Sequence, residues 1–233
     1  MGIHIILVTF TFICVILLFF TKCAILPINN NDSYRKIKLR PHIHNNNDYP
    51  EMKYIFDNKK IIQNEFIQNV INSDNWSNWM EYDKISNTPI FSQMSRDDII
   101  KRMFENKCKL DDGKPSWKLF GLILYNKQID ENVKVCPKTM ELLSKCKNIV
   151  NAGFSCLEPN VITALHHDFN HDILRCHIPI IIPNGNVAIK INNDIVKWDN
   201  DKYFIFDDTY DHQAWNYTKN KRIVLIIDIL KIQ

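Results

Sequence analysis

The pattern of apolar and polar positions changes along the chain, and the first segment is the only long stretch that is almost entirely apolar. Residues 3–20 contain no charged residue. As a helix this stretch would be roughly 27 Å long, close to the thickness of a bilayer's hydrocarbon core. A cleaved signal peptide normally has a basic start, a shorter apolar core and a small-residue cleavage site, and none of these is clear here. We therefore expect residues 1–22 to form an uncleaved transmembrane helix.

The sequence from residue 23 to residue 50 is polar and rich in asparagine, with two prolines near its end, and predicts a flexible stalk. One domain, residues 51–233, should follow. In its first part, about residues 51–150, apolar residues recur at three-to-four spacing, which predicts helices. One apolar stripe includes Ile62, Phe66 and Val70, together with Ile61 and Ile71; a second helix is expected to start at Ser95 and a third after Pro137.

Short apolar runs separated by turn residues dominate from about residue 151 to residue 233. This pattern is typical of a β-sandwich or barrel rather than of helices. The expected fold is mainly β with flanking helices, a double-stranded β-helix (jelly-roll) core preceded by the N-terminal transmembrane helix. The runs predicted as strands are Leu174–Pro183, Val187–Ile191, Tyr203–Phe206 and Ile223–Leu230.

Composition narrows the choice of function. Of the 233 residues 45% are hydrophobic and 24% are charged, which is ordinary for a folded protein. The formal net charge is only +3, without a long basic run, so nucleic-acid binding is not expected. Seven cysteines occur without a C-x-x-C pair, which argues against a cysteine-based zinc site. Disulfides and buried free thiols both stay open.

Two patterns bear on the side of the membrane. Basic residues follow the apolar stretch and none precedes it, which favours a cytosolic domain. Three glycosylation sequons, at Asn31, Asn75 and Asn216, would be usable only in a lumenal domain. Such sequons arise easily by chance in an asparagine-rich chain, so the sequence leaves both orientations open.

The candidate chemistry lies in a histidine-rich segment. Residues i and i+2 of a strand point to the same face, so His166 and Asp168 can both face a barrel interior. If the strand that carries His212 lies opposite, the three form the two-histidine, one-carboxylate set of non-haem Fe(II) oxygenases. The competing interpretation is a solvated histidine cluster, which we expect His167 and His171 to be.

Arg222 adds a second feature, at the start of the last apolar strand. An arginine among apolar strands is costly to bury unless it pairs with an anion, and its fork geometry suits a carboxylate. A cosubstrate that chelates iron through an oxoacid would place its far carboxylate there. The alternative is an arginine at the rim that pairs with an acidic neighbour such as Asp228.

From Trp117 to Ile229 the sequence resembles the aspartyl/asparaginyl β-hydroxylases, a family of Fe(II)/2-oxoglutarate dioxygenases. The resemblance implies that His166 and His212 bind iron, that Ser155 and Arg222 hold the distal carboxylate of 2-oxoglutarate, and that Arg175 and His177 lie near its other end. Asp207 and Asp208 could orient His212 or form a turn, Trp117 could line the pocket, and Trp198 and Trp215 are expected to pack. The matching segments are Trp117-Lys-Leu-Phe, Cys136-Pro-Lys-Thr, Phe154-Ser-Cys-Leu-Glu-Pro, His166-x-Asp168, Leu174-Arg-Cys-His-Ile-Pro, Trp198, Phe206-Asp-Asp-Thr-Tyr-Asp-His-Gln-Ala-Trp-Asn and Arg222-Ile-Val-Leu-Ile-Ile-Asp.

One departure affects the substrate. Animal members of the family carry glycine where this chain has Asp168, whereas bacterial relatives that hydroxylate lipids or free amino acids carry the carboxylate. The resemblance implies a dioxygenase that uses Fe(II), 2-oxoglutarate and dioxygen to hydroxylate a C–H bond of a peptidyl Asp or Asn side chain, and the apolar stretch would place it at a membrane. A lipid acyl chain, as in lipid A hydroxylases, and a free amino acid are alternative substrates. A metal-binding jelly-roll module without oxygenase activity is the non-enzyme alternative. The family resemblance favours a lumenal domain, in contrast to the charge pattern.

Overall fold

The computed structural model describes residues 41–78 and 117–231. The predicted transmembrane helix and the helix predicted at Ser95 lie outside these ranges. No helix within them is long and apolar enough to cross a membrane. The stalk prediction ends at residue 50, whereas the compact unit already starts at Pro41. Strand β1, Ile43–His44, pairs with a strand of the core, so the last ten residues of the predicted stalk belong to the domain.

Two antiparallel sheets make up most of the structure, as the sequence predicted. The first, sheet A, has the strand order β1-β10-β7-β12-β5-β3-β2, with β4 added beside β3; the second, sheet B, has the order β6-β11-β8-β9. From β5 to β12 the chain passes between the two sheets in the manner of a jelly roll. The strands are β2 (Ser77–Asn78), β3 (Trp117–Leu124), β4 (Lys127–Gln128), β5 (Ile149–Leu157), β6 (Val161–Ile162), β7 (Ile173–Ile181), β8 (Val187–Ile191), β9 (Asp194–Lys197), β10 (Phe204–Phe206), β11 (His212–Asn216) and β12 (Arg222–Leu230).

The helices cover one face of sheet A. They are α1 (Pro50–Asp57), α2 (Lys59–Glu65), which continues into a π-helical turn at Phe66–Val70, α3 (Asp130–Val133) and α4 (Pro137–Ser144). The helix predicted from residue 61 and the one predicted after Pro137 are thus confirmed, although Ile61 is 41% exposed. Strand β3 corrects the expectation that residues 51–150 are helical, because its apolar run pairs with β5 at the edge of the core.

Alternation along the central strands separates two cores. On β12, Ile223, Leu225 and Ile227 face the helices, whereas Val224 and Ile226 face sheet B. Since both faces are covered, β12 is buried over nearly its whole length, which explains its continuous apolar sequence. Polar side chains on the face toward sheet B are therefore enclosed between the sheets. The four cysteines of the described ranges are buried free thiols: Cys136, Cys146, Cys156 and Cys176.

Candidate active site

His166 and His212 lie next to each other although 45 residues separate them in the sequence. Their main chains form an isolated antiparallel bridge, in which the His166 N–H donates to the His212 carbonyl at 3.1 Å and the His212 N–H donates to the His166 carbonyl at 2.8 Å. Their ring centroids are 4.2 Å apart. The structure thus brings together the two histidines that the sequence predicted as metal ligands.

The ring nitrogens of both histidines are oriented by backbone carbonyls. Nδ1 of His166 lies 2.8 Å from the Ala164 carbonyl, and Nδ1 of His212 lies 2.9 Å from the Tyr210 carbonyl. Each Nδ1 therefore carries the hydrogen, and Nε2 carries the lone pair, which is the form of imidazole that metal ions require. Burial and the neighbouring His166 lower the pKa of His212 to about 3, and burial also lowers the pKa of His166. Both rings are neutral at pH 7, as metal binding requires.

Asp168 lies in an exposed segment rather than on a strand, which corrects the expectation that it shares a strand face with His166. Its N–H donates to the Asp208 carbonyl at 2.8 Å. Its carboxylate accepts the N–H groups of Phe169 at 2.6 Å and Asn170 at 3.3 Å, as in an Asx turn. Among the described residues no three His, Cys, Asp or Glu side chains are grouped in metal-binding geometry. The third ligand at Asp168 stays a prediction.

Arg222 lies between the sheets with only 2% of its surface exposed. Its Nη1 donates to Oγ and to the carbonyl oxygen of Ser155, both at 3.3 Å, and the Trp117 indole N–H donates to the same Oγ at 2.9 Å. Burial lowers the pKa of Arg222 to about 10. Asp228 pairs with Arg175 instead, at 2.7 Å. Arg222 is therefore a buried cation, and the alternative of a rim arginine paired with Asp228 is wrong.

His177 and Trp198 lie beside Arg222. The Trp198 indole N–H donates to Nδ1 of His177 at 3.3 Å. The guanidinium carbon of Arg222 lies 4.5 Å from the centre of the Trp198 ring. Burial, Arg222 and Arg175 hold the pKa of His177 well below its usual range, so the ring is neutral. Because its Nδ1 accepts the indole N–H, its hydrogen lies on Nε2.

Arg175 is held by two buried carboxylates. Its Nε and Nη2 donate to the two oxygens of Asp228 at 2.7 and 2.9 Å, and its Nη1 lies 3.1 Å from Oδ2 of Asp208. Burial raises the pKa of Asp208 to about 7 in spite of this contact. Arg175 is also close enough to lower the pKa of both His166 and His212. The two carboxylates thus hold Arg175 within the fold, and its contact with a cosubstrate stays a prediction.

Asp207 and Asp208 do not bond to the His212 ring, whose Nδ1 partner is a carbonyl. Asp207 is buried and accepts the N–H and hydroxyl of Thr209 at 3.1 and 2.6 Å, as well as the Lys231 ammonium at 2.7 Å. This pattern is that of a turn, so the structural alternative for Asp207 is confirmed. Asp208 instead belongs to the buried charge cluster with Arg175.

The unsatisfied donors between the sheets indicate what the site can bind. Within the described ranges, Nε of Arg222 and Nε2 of His177 are buried without a hydrogen-bond partner. Ser155 accepts two hydrogen bonds through Oγ, which leaves its hydroxyl hydrogen to donate. Buried donors are rarely left unpaired, so these groups fit an anion with several acceptor oxygens. Together with the histidine pair, they suit a metal ion and a dicarboxylic oxoacid.

Two tryptophans make more contacts with residues of the candidate site than the sequence indicated. Trp198 was expected to pack, but it contacts both Arg222 and His177. Trp117 lies against His166, with ring centroids 5.5 Å apart, and donates to Ser155. No sequence spacing singles out Trp198, because its partners lie on two strands distant in the chain. Trp215 is half-buried and donates to Asn186 at 2.8 Å, so it is not part of the site.

Comparison with known proteins gives the same family at several levels. Residues 57–231 match the sequence profile described as aspartyl/asparaginyl beta-hydroxylase. An ornithine lipid ester-linked acyl 2-hydroxylase of Rhizobium tropici is 36% identical over 117 residues, 49% of this chain and 42% of that protein. An aspartyl/asparaginyl beta-hydroxylase of Mus musculus is 26% identical over 121 residues, 50% of this chain and 16% of that protein. The match thus spans less than half the length of these relatives.

Solved structures give weaker similarities. A protein described as a predicted oxalate decarboxylase from Thermotoga maritima aligns with 51% of this chain and 84% of its own, at 13% identity and a TM-score of 0.34. A cupin domain from Schizosaccharomyces pombe aligns with 49% of this chain and 65% of its own, at 10% identity and a TM-score of 0.34.

Proposed function

Because this chain belongs to the aspartyl/asparaginyl β-hydroxylase family, we propose that it is an Fe(II)- and 2-oxoglutarate-dependent hydroxylase. The observation that carries the proposal is the pairing of two features. Two neutral histidine rings lie with their centroids 4.2 Å apart, and buried donors of Arg222 and His177 lack an acceptor among the described residues. A metal site alone would not need the second feature.

The residues would divide the work as follows. His166 and His212 hold the metal ion, and Asp168 completes the set with an anionic oxygen. Arg222 and the Ser155 hydroxyl bind the distal carboxylate of 2-oxoglutarate. Fe(II), 2-oxoglutarate and dioxygen, once bound, supply the oxidising power that places oxygen on a C–H bond.

The remaining residues of the site orient the cosubstrate and exclude water from it. The His177 Nε2–H donates to the oxoacid end of the cosubstrate, and Arg175, fixed by Asp228, supplies positive charge nearby. Apolar side chains of both sheets enclose this region, which strengthens each of these contacts. The chain's own contribution is thus to position two ligands and keep solvent away.

For the substrate, the family favours a peptidyl Asp or Asn side chain. A lipid acyl chain is a second candidate, which two observations favour. The relative at 36% identity carries the name of a lipid acyl hydroxylase. In this chain Leu165 and Phe169, each 60% exposed, flank His166 and Asp168, so apolar surface adjoins the predicted metal ligands.

The N-terminal apolar stretch completes the proposal. We place the enzyme at a membrane through residues 1–22, with a single crossing. The charge pattern and the family resemblance favour opposite sides, so either a cytosolic or a lumenal substrate fits. A membrane anchor suits an acyl-chain substrate directly and serves a peptide hydroxylase as a means of retention.

The test is release of succinate from 2-oxoglutarate by the full-length chain in detergent, with and without Fe(II). Incubation with peptides that contain Asp or Asn, and separately with lipid extracts, followed by mass spectrometry for one added oxygen atom, identifies the substrate class. Release that requires Fe(II) supports the proposal. Metal binding without 2-oxoglutarate turnover would instead support the metal-binding module.

A further inference from the structure

Trp198 lies between His177 and Arg222, whose buried Nε2 and Nε have no acceptor among the described residues. Its indole N–H donates to Nδ1 of His177 at 3.3 Å, and its ring face lies 4.5 Å from the guanidinium carbon of Arg222. The planes of the Trp198 and His177 rings are inclined by only 17°. Trp198 is 6% exposed and follows β9 on sheet B, whereas His177 and Arg222 lie on sheet A. One side chain of the opposite sheet thus contacts both.

The contact with His177 fixes a tautomer. An indole N–H only donates, so Nδ1 of His177 must accept, and the hydrogen of the neutral ring lies on Nε2. Within the described ranges this Nε2 is buried and has no acceptor. Without the indole N–H, a hydrogen on Nδ1 would leave Nε2 as an acceptor, which repels a carboxylate.

The contact with Arg222 fixes the orientation of the guanidinium plane. A guanidinium group over an indole face is attracted electrostatically, and the attraction is strongest where water is excluded. Arg222 is also held at Nη1 by Ser155, so two contacts define its orientation. Its Nε is left as the buried donor.

We propose that Trp198 is a positioning residue for the cosubstrate, which presents the His177 N–H and the Arg222 guanidinium as two donors oriented for the opposite ends of one oxoacid. This inference rests on the proposed function. It assigns a role to a residue that would otherwise serve only to fill the space between the sheets. The effects of the two contacts on binding can be measured separately, because the contact with His177 concerns the oxoacid end of the ligand and the contact with Arg222 concerns its distal carboxylate.

The test uses two variants and two probes. Trp198→Phe keeps an aromatic face but removes the N–H, and Trp198→Leu removes both. The probes are 2-oxoglutarate and 2-oxobutyrate, which lacks the distal carboxylate. Binding to the full-length chain in detergent is measured by calorimetry with Mn(II), so that no turnover occurs. The stoichiometry gives the folded fraction, and Trp215→Phe, at a half-buried indole outside the site, is the control.

We expect Trp198→Phe to weaken the binding of both probes by the same factor, about three- to tenfold, which is the effect of one hydrogen bond. Trp198→Leu should weaken the binding of 2-oxoglutarate by about a further threefold or more, because Arg222 loses the aromatic face. The binding of 2-oxobutyrate, which lacks the distal carboxylate, should be the same as in Trp198→Phe. A purely structural role would lower the folded fraction and leave the dissociation constants of the folded fraction unchanged, which would overturn the proposal.

A second measurement does not depend on ligand binding. Nitrogen NMR of the histidine-labelled chain reports which ring nitrogen of His177 carries hydrogen. The wild-type chain should show hydrogen on Nε2, and Trp198→Phe should shift this tautomer. An unchanged tautomer overturns the role of the indole N–H. If the wild-type chain binds neither probe, the proposed function fails, whereas the tautomer still decides the contact between Trp198 and His177.

Discussion

His166 and His212 are hydrogen-bonded to each other through their main chains in both directions, at 3.1 and 2.8 Å. The separation of the two predicted iron ligands is therefore set by the backbone and not by the metal ion. Carbonyl groups two residues before each histidine fix the ring orientation as well. Such a pair is preorganised, so metal binding needs little rearrangement of these two side chains.

The first prediction concerns these ligands. His212→Ala should abolish 2-oxoglutarate turnover, with a loss of at least about a hundredfold, because a metal ligand and its fixed geometry are removed. His171→Ala is the control, since His171 is exposed and accepts a hydrogen bond from the Lys231 ammonium through its main-chain carbonyl oxygen. Its turnover should stay within about twofold of wild type. Succinate release measures both, and equal activity of the two variants would contradict the ligand assignment.

A second prediction follows from the lowered pKa values. Burial lowers the pKa of His212 to about 3 and lowers that of His166, so protons do not compete with metal near neutral pH. Two histidines of ordinary pKa, ~6.5, would each cost about fourfold in affinity between pH 8 and pH 6. We expect the Mn(II) affinity of the full-length chain to fall clearly less over this range than the roughly sixteenfold that two such histidines would give together. A loss of tenfold or more would show that the histidines titrate normally.

Arg175 gives the third prediction. Its guanidinium lies against two buried carboxyl groups, those of Asp228 and Asp208. Arg175→Met leaves both without a cation and should lower the free energy of unfolding by about 3–5 kcal/mol. Urea unfolding measures this change.

The control variant also removes the two acidic groups that Arg175→Met leaves without a cation. In the triple variant Arg175→Met, Asp208→Asn, Asp228→Asn, most of the lost stability should return, because no uncompensated buried charge is left. If the triple variant unfolds as easily as the single variant, the charge cluster is not the reason for the instability. Low activity of a restored, folded triple variant would then support a role of Arg175 near the cosubstrate.

The strands could be predicted because their apolar runs are nearly continuous or alternate. The predicted run Val187–Ile191 coincides with β8, and Ile223–Leu230 differs from β12 by one residue. Strand β3 was missed because it lies within a segment where helical spacing dominates. The order of strands in each sheet required the structure, since pairing between distant segments leaves no local pattern.

The candidate site was predictable in part. His166, His212 and Arg222 were found from residue type, spacing and family resemblance. The polar partners were not, since the Trp198 indole reaches His177 across the two sheets and the Asp208 carboxylate reaches Arg175 from a loop. Such contacts depend on tertiary packing, which alternation along one strand does not encode.

The sequon at Asn216 supports a fourth prediction. Its side-chain amide is fully buried and donates to the carbonyls of Leu157 at 2.9 Å, Glu158 at 3.2 Å and Asn220 at 2.8 Å. A glycan cannot be attached to this nitrogen in the folded protein. When the chain is directed to a lumenal compartment, digestion of its folded fraction with a glycosidase should produce no mass shift at Asn216. Asn216→Ala should lower the free energy of unfolding by about 2–3 kcal/mol, since these contacts are lost together with the hydrogen bonds that Oδ1 of Asn216 accepts from the N–H and hydroxyl of Thr218.

The fifth prediction separates binding from stability at Arg222. Its guanidinium is buried and its Nε lacks an acceptor within the described ranges, so it carries a desolvation cost in the absence of ligand. Arg222→Met should therefore unfold at equal or higher urea concentration, with a gain of up to about 2 kcal/mol. Lys221→Met is the matched control, because Lys221 is exposed and lies 3.7 Å from Glu158.

The same two variants then report on the ligand. In the presence of Mn(II), 2-oxoglutarate at a hundred times its dissociation constant should stabilise the wild type and Lys221→Met by about 2.7 kcal/mol. Arg222→Met should show almost none of this stabilisation, since the distal carboxylate has lost its buried cation. Stabilisation of Arg222→Met equal to that of wild type would mean that the carboxylate binds elsewhere. An Arg222→Met chain that is less stable than wild type without ligand would mean that the contacts of Arg222 with Ser155 and Trp198 outweigh its desolvation cost.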